Sequence, residues 1–434
     1  MQLGPYPGTP GTGKRTIGSA ATGPLTHTRS VTRRRLRILF AVQGAAFGLL
    51  MPFPVPLLDE RGLGAAEIGL ILSIAGLASL LAYPLWGMIA DGWLGRPRTI
   101  ALASLAAAIG GGLILASGSD RLSLTLALSV AVAGAMAWGP LIDALVLGEL
   151  GEAASDYGRV RVWASAGWAL SATAGGAVWA LAGPEPVFVA FTCSALLLAA
   201  LVLLPAMGAS QPGDTHEQPP RLRLLAWLPR FITPVLLGFM AGLLLTSMGE
   251  HASWRFISLR ILDQGGGVFL VGLAASLPAL VEIPVFASSR RLAPRFGLRG
   301  LFVLGAAVAA SLTALIAIAP EAWMVAGLRT LDGVSFALRY MAMVLIIGVL
   351  LPPRLYAMGQ SMAWFIYAGI APIAADAAGG IIYETLGAPV LFLVATAALA
   401  LGGLIVWLVL RAPAFGRDPP RGVVEEVPPP LPPA

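Results

Sequence analysis

Residues 68–98 read IGLILSIAGLASLLAYPLWGMIADGWLGRPR, an uncharged run from Ile68 to Ala90 followed at once by a turn that holds Asp91, Arg96 and Arg98. A bilayer core about 30 Å thick needs roughly 20 residues of helix at about 1.5 Å rise per residue. The run is long enough to cross a membrane, and the polar turn is where the chain would leave the bilayer before re-entering it. The same alternation continues outward through all 434 residues, with apolar runs near 36–58, 68–90, 99–117, 122–147, 160–182, 186–207, 231–259, 267–288, 300–318, 323–350, 359–383 and 389–411. Twelve runs, six on each side of a polar linker, predict an all-α polytopic membrane protein. Its expected divisions are a disordered tail over 1–35, six-helix bundles over 36–207 and 231–411, a linker over 208–230, and a second disordered tail over 412–434.

Composition supports the same reading: 57% of residues are hydrophobic and 12% charged, against about 25% charged in soluble domains. The net charge of +6 does not form a nucleic-acid stripe, because the cations sit in short loops beside apolar runs. With the N-terminus inside, 22 of the 28 basic residues fall in inner segments and four, Arg61, Arg121, Arg255 and Arg260, in outer loops; Arg329 and Arg339 lie within the tenth run. That bias places both termini in the cytoplasm of a multi-pass inner (plasma) membrane protein. The first run is expected to serve as an uncleaved signal anchor, since no short apolar core with a small-residue cleavage site precedes it. Cys193 stands alone and reports no disulfide framework. Gly8, Gly13 and Lys14 match most of a phosphate-binding loop, but Arg15 occupies the hydroxyl position and no strand precedes the glycines, so no cofactor is expected.

Two internal echoes give the six-plus-six division substance. Gly87, Asp91, Gly95, Arg96, Pro97 and Arg98 follow the second run, and about 202 residues later Arg290, Arg291, Pro294, Arg295, Gly297 and Arg299 follow the eighth. Gly175-Gly176 in the fifth run and Gly379-Gly380 in the eleventh are offset by 204. A shared offset near 200 residues, spanning six runs, is the mark of two parallel halves related by an axis along the membrane normal.

The stretch Gly87-x-x-x-Asp91-x-x-x-Gly95-Arg96-Pro97-Arg98 resembles the loop motif of the major facilitator superfamily, with Gly92 where the usual form has a basic residue. Pro140 to Leu145, Tyr157 to Trp163 and Glu282-Ile283-Pro284-Val285-Phe286 look like the subgroup that includes 3-phenylpropionate transporters, near the lactose permease and nucleoside symporter branch. The resemblance spans residues 35–411. It implies the major facilitator fold of two pseudo-symmetric six-helix bundles. It also implies an inner gate at this loop, with Asp91 facing the start of the eleventh run.

Independently, ionisable residues inside apolar runs locate the function. A charge at the bilayer centre costs at least about 2.5–3.5 kcal/mol on insertion scales, so such residues face the protein interior or a water-filled cavity. Eight qualify: Asp143, Glu250, His251, Glu282, Arg329, Asp332, Arg339 and Asp376, seven of them in the second half. Arg329, Asp332, Phe336 and Arg339 fall within about 80° on one helical face. Arg329 neutralises Asp332 one turn away. Arg339 either pairs with an acid on another helix, such as Glu282 or Asp376, or binds a substrate anion with its planar fork. Glu282 is either a proton site whose Arg partner comes and goes or the anion of a permanent bridge to Arg339 or Arg290. Glu250 and His251 form a proton relay or a satisfied hydrogen-bonding pair, with Ser247 and Trp254 on the face of Glu250. Asp376 lines the cavity or carries a proton.

The first half offers polar and aromatic groups. Gln43, Phe47, Leu50 and Pro54 share a face of the first run, whose outer end Pro52, Pro54 and Pro56 should bend. Asp143 reads as a gate or structural pair with Arg159 or Arg161, or else a substrate contact. Trp138, Trp163 and Trp168 read as interfacial belt residues or as stacking surfaces for an aromatic ligand.

An enzyme would need a nucleophile with its base or a metal cluster, yet of three histidines His27 and His216 lie in tail and linker. The sequence therefore predicts a monomeric secondary transporter of a small-molecule substrate, driven by protons and working by alternating access. Proton-coupled uptake leads; efflux of hydrophobic compounds is the alternative, and a membrane receptor or scaffold stands third.

Overall fold

A computed structural model describes residues 24–150, 157–204, 233–352 and 355–411. The linker expected over 208–230, the tail over 412–434 and the glycine-lysine stretch at Gly8 to Lys14 lie outside these residues. The described chain is helical throughout. In the first half, α1 is Pro24–Leu50 with its extension Pro54–Glu60, α2 Ala65–Ile89, α3 Gly95–Ala116, α4 Arg121–Ala135 with Trp138–Leu150, α5 Tyr157–Ala182 and α6 Glu185–Val202. The first helix thus starts at Pro24, inside the stretch expected as a disordered tail over 1–35. In the second half, α7 is Pro234–Asp263, α8 Val268–Ala287, α9 Ser289–Ile318, α10 Ala322–Thr330 with Asp332–Leu350, α11 Tyr356–Trp364 with Ala371–Leu386, and α12 Ala388–Val409. Ten stretches of the described residues are long and apolar enough to cross a membrane, and one of them, Ala65–Ala116, holds both α2 and α3. With α5, whose composition is richer in Gly, Ser and Trp, the fold accounts for the twelve predicted runs.

Local chemistry explains the interruptions. Pro52, Pro54 and Pro56 each lack an N–H, and α1 breaks at 51–53 as expected. In α11 a π turn spans Phe365–Ile370, directly before Pro372. There the missing amide hydrogen bond is absorbed by a wider turn. Breaks also divide α4 after Ala135 and α10 at Leu331. These two spans occupy the same position, the fourth, in their respective halves.

The backbone records the repeat more sharply than the sequence does. Among the described residues six glycines take positive φ: Gly62 (81°), Gly95 (73°), Gly183 (82°), Gly265 (74°), Gly297 (67°) and Gly387 (87°). They pair as Gly62 with Gly265, Gly95 with Gly297 and Gly183 with Gly387, at offsets of 203, 202 and 204. Equivalent turns in the two halves thus demand the same left-handed conformation, which only glycine adopts without penalty.

Below, the end of the bundle where α1 starts and α12 finishes is the terminal face, and the opposite end the distal face. The halves meet along two seams in the distal part of the molecule, α2 against α11 and α5 against α8. Gly69 and Gly380 let the α2 and α11 backbones touch, and Gly176 and Gly272 do the same for α5 and α8. Ser73 Oγ donates to the Ile373 carbonyl at 2.7 Å, Trp168 Nε1 to the Ala275 carbonyl at 3.0 Å, and Thr173 Oγ1 to Ser276 Oγ at 2.8 Å. Toward the terminal face, Leu280 and Ile283 of α8 and Arg161 of α5 are exposed. The hydrogen bonds and glycine contacts between the halves thus lie in the distal part of the molecule.

Candidate substrate and proton site

The second half brings its charged residues together between α7, α10 and α11. Arg339 Nη1 donates to Glu250 Oε2 at 2.7 Å, and both side chains are nearly buried. The partner of Arg339 is therefore Glu250, not the expected Glu282 or Asp376. Helix periodicity shows which face a residue occupies but not which neighbouring helix meets it. Tyr367 Oη, in the π turn of α11, donates to Glu250 Oε1 at 3.3 Å. His251 Nε2 donates to the Tyr367 carbonyl at 2.9 Å, so its proton lies on Nε2 and the ring is oriented by backbone. Arg329 pairs with Asp332 across one helical turn as expected, and Ser335 Oγ donates to Asp332 Oδ1 at 2.6 Å.

Asp376, expected to line the cavity or carry a proton, is buried. Its side chain is 1% exposed and faces Arg255 Nε at 3.4 Å. Arg255 was expected in an outer loop with Arg260, but α7 continues to Asp263 and carries both. A cation within the last turns of an apolar helix reads in sequence as a loop cation, and only the acid of a neighbouring helix reveals its role. Arg255 also stacks on Trp254, with its guanidinium carbon 4.7 Å from the ring centroid. Trp254, Arg255 and Arg329 line a recess between α7, α8 and the break in α1 at Met51 and Pro52.

Glu282 differs from these acids. It is half-buried on α8, and no hydrogen bond or ion pair joins it to another described residue. The expected bridge to Arg339 is not made, since that guanidinium pairs with Glu250 through Nη1; the Arg290 side chain lies outside the described residues.

An aromatic ladder that the sequence reading missed, apart from Phe336, flanks Arg339. Phe336 and Tyr340 stack at 5.7 Å, Phe286 meets both edge-on, and Trp364 bridges Tyr340 to Tyr367. Phe336 and Tyr340 stand one turn apart, a spacing visible in the sequence; Phe286, Trp364 and Tyr367 come from other helices.

In the first half, Gln43 is buried with Oε1 unpartnered. Trp138 is neither a belt residue nor a free stacking surface: it is wholly buried, and Nε1 donates to Ser104 Oγ at 2.9 Å. Trp168 is committed to the α5–α8 seam. Asp143 meets Arg161 at 3.9 Å, one of its two expected partners, and Arg161 lies over the Phe40 ring. Arg159, also expected here, is exposed beside it on α5. In the loop after α2, Asp91, Arg96 and Arg98 are exposed, and Gly87 has open space beside it. Asp91 forms no hydrogen bond or ion pair with a described residue, and residues 353–354, just before α11, lie outside the described residues.

Residues 34–394 match the MFS_1 like family. The chain belongs to this family of major facilitator transporters. It is 33% identical to the maltose permease of Geobacillus stearothermophilus over 296 residues, 68% of this chain and 73% of that one. It is 25% identical to the multidrug resistance protein MdtG of Escherichia fergusonii over 311 residues, 67% of this chain and 73% of the relative. Its fold is shared with the crystal structure of the nucleoside transporter NupG, at a TM-score of 0.71 and 17% identity over 88% of this chain and 99% of that one. These relatives are transporters and not enzymes.

Proposed function

We propose that this major facilitator transporter takes up a small organic solute together with protons, and that Glu282 is the carboxyl group that binds and releases the proton. The observation that carries the reading is the pairing of the interior acids. Asp143, Glu250, Asp332 and Asp376 each face an arginine within ion-pair distance, whereas Glu282 has no such partner among the described residues. A carboxylate held against a guanidinium favours its charged form, while burial without such a partner favours the neutral, protonated one. Protons bound at Glu282 would travel with solute held beside Arg339, Tyr340 and Trp254, with Gln43 facing from the first half. Alternating access follows if the two glycine seams rock, closing the terminal gate formed by Gly87, Asp91, Gly95, Arg96 and Arg98 with Asp143, Arg159 and Arg161. In this reading the terminal face is cytoplasmic, in line with its excess of basic residues, and the protein works as a monomer in the inner membrane. The likeness to MdtG favours efflux by proton exchange as the second reading.

Uptake by proteoliposomes under an imposed pH gradient tests the assignment. Glu282→Gln is expected to abolish gradient-driven accumulation while leaving counterflow exchange intact. Accumulation at the unaltered rate by Glu282→Gln would remove Glu282 from the mechanism. The sign of the gradient that drives net movement separates uptake from efflux.

A further inference from the structure

We infer that Glu384 is the latch of the seam between α2 and α11: it supplies from the second half the cap that the first turn of α2 lacks, and gives it up whenever that seam parts. This rests on the reading that the seams move during transport. The first N–H groups of a helix have no partner within it, and a Ser, Thr, Asp or Asn side chain just before the helix ordinarily accepts from one of them. Before α2 stands Gly64, which has no side chain to offer. Glu384 of α11 fills the role instead, its Oε2 accepting from the Ala66 N–H at 2.8 Å. There a carboxylate also meets the positive end of the helix dipole. Glu67, the acid in the first turn of α2 itself, pairs with Arg121 at 2.6 Å and takes only the Gly64 N–H, at 3.4 Å.

Gly64 fits this use and no local one. Its φ of −70° and ψ of 162° are open to any residue, so no turn requires glycine there. A Cβ at Gly64 would stand 2.7 Å from Glu384 Oε2, inside the space the carboxylate fills. The two seams share their glycines but differ at this rim. Gly267 precedes α8 in the same conformation, φ −75° and ψ 167°, yet nothing lies within 4 Å of where its Cβ would be. On α5, Ala180 stands three residues before Gly183, where Glu384 stands three before Gly387. A methyl group cannot accept a hydrogen bond, so one seam carries the device and the other does not. A cap made within one half would survive any movement of the halves. A cap made between them is lost on separation, and so it favours the joined arrangement specifically.

Alkylation of Ser73→Cys in a Cys193→Ser background reads the seam, because Ser73 is buried in it beside Ile373. The full-length protein is used in detergent with neither solute nor gradient, so the outcome does not depend on Glu282 or on proton coupling. Glu384→Ala is expected to raise the rate about fivefold, the weight of one helix cap. Glu384→Gln, which keeps an acceptor but not the charge, should raise it less. Gly64→Ser decides between a latch and a merely structural cap. It gives α2 a cap of its own where the Glu384 carboxylate now sits, so melting temperature is held or raised while alkylation still quickens about fivefold. Gly267→Ser, which displaces nothing, is expected to change neither. An unchanged rate in Gly64→Ser would overturn the inference. Gly380→Val, which forces the same seam, separates the latch from the reading beneath it. If Gly380→Val speeds alkylation and Glu384→Ala does not, the latch is wrong and the moving seam stands; if neither does, both fall.

Discussion

The two halves share a backbone plan but are held together by different means. In the first half α3 and α4 touch through Gly110, Gly134 and the alanines opposite them, and Trp138 packs between Phe47 and Phe191. Its one interior acid, Asp143, sits 3.9 Å from Arg161 with both side chains about two-fifths exposed. In the second half three ion pairs tie α7 to α10, α10 to itself and α7 to α11. The first half is a packed body that offers a surface, and the second holds a polar site whose charges must stay matched. The difference shows that a repeat can preserve turns and helix lengths while the two copies specialise, since the glycines that set the turns are far from the residues that set the chemistry.

The sharpest way to break this contrast is to unpair a buried ion. Arg255→Leu leaves Asp376 charged and enclosed, and removing one partner of a buried pair costs about 3–5 kcal/mol. The variant is expected to show a large fall in melting temperature in detergent, and Arg255→Leu with Asp376→Leu is expected to regain most of it. If the single variant melts with the unaltered protein, the pair does not hold α7 to α11.

A smaller effect is expected at the seams, where the halves are alike. Gly380 has the α2 backbone of Ala65 and Ala66 against it. A side chain there must push α2 away, and overpacking of this kind costs about 1–3 kcal/mol. Gly380→Val is expected to shift the molecule from the distally closed arrangement, exposing Ser73, which is buried in that seam beside Ile373. With Cys193→Ser as background, alkylation of Ser73→Cys should be about tenfold faster when Gly380→Val is added. Equal rates would mean that the seam does not gate the distal side. Gly176→Val, at the other seam, should reduce transport to a similar extent.

Fold and site were legible to different depths. The twelve runs, the offset near 200 residues and the bend after Leu50 follow from hydropathy, glycine spacing and proline chemistry, all local properties of the chain. The Arg329 pair with Asp332 was legible for the same reason, because both partners lie one turn apart on one helix. Arg339 with Glu250 and Arg255 with Asp376 were not, since 89 and 121 residues separate the partners. Which helix faces which is decided by the packing of the whole bundle. Trp138 was misread because its sequence position fits an interfacial belt, while its surroundings are an interior with a serine placed to accept its N–H.

The smallest effect is expected at Asp143. Its geometry with Arg161 is long, and both groups reach solvent, so the pair is worth less than about 1 kcal/mol. Asp143→Asn should therefore leave melting temperature within a degree or two of the unaltered protein, in contrast to Arg255→Leu. Arg161 would keep its place over Phe40, a contact that does not need the carboxylate. If the pair acts in the terminal gate, its effect will show in rate instead of stability, because both charges reach solvent here and would gain low-dielectric surroundings only on closure. A reduced transport rate with unchanged melting would confine Asp143 to the closing step. A melting temperature lowered as far as that of Arg255→Leu would show that the first half, too, depends on matched charge, and the contrast between the halves would fall.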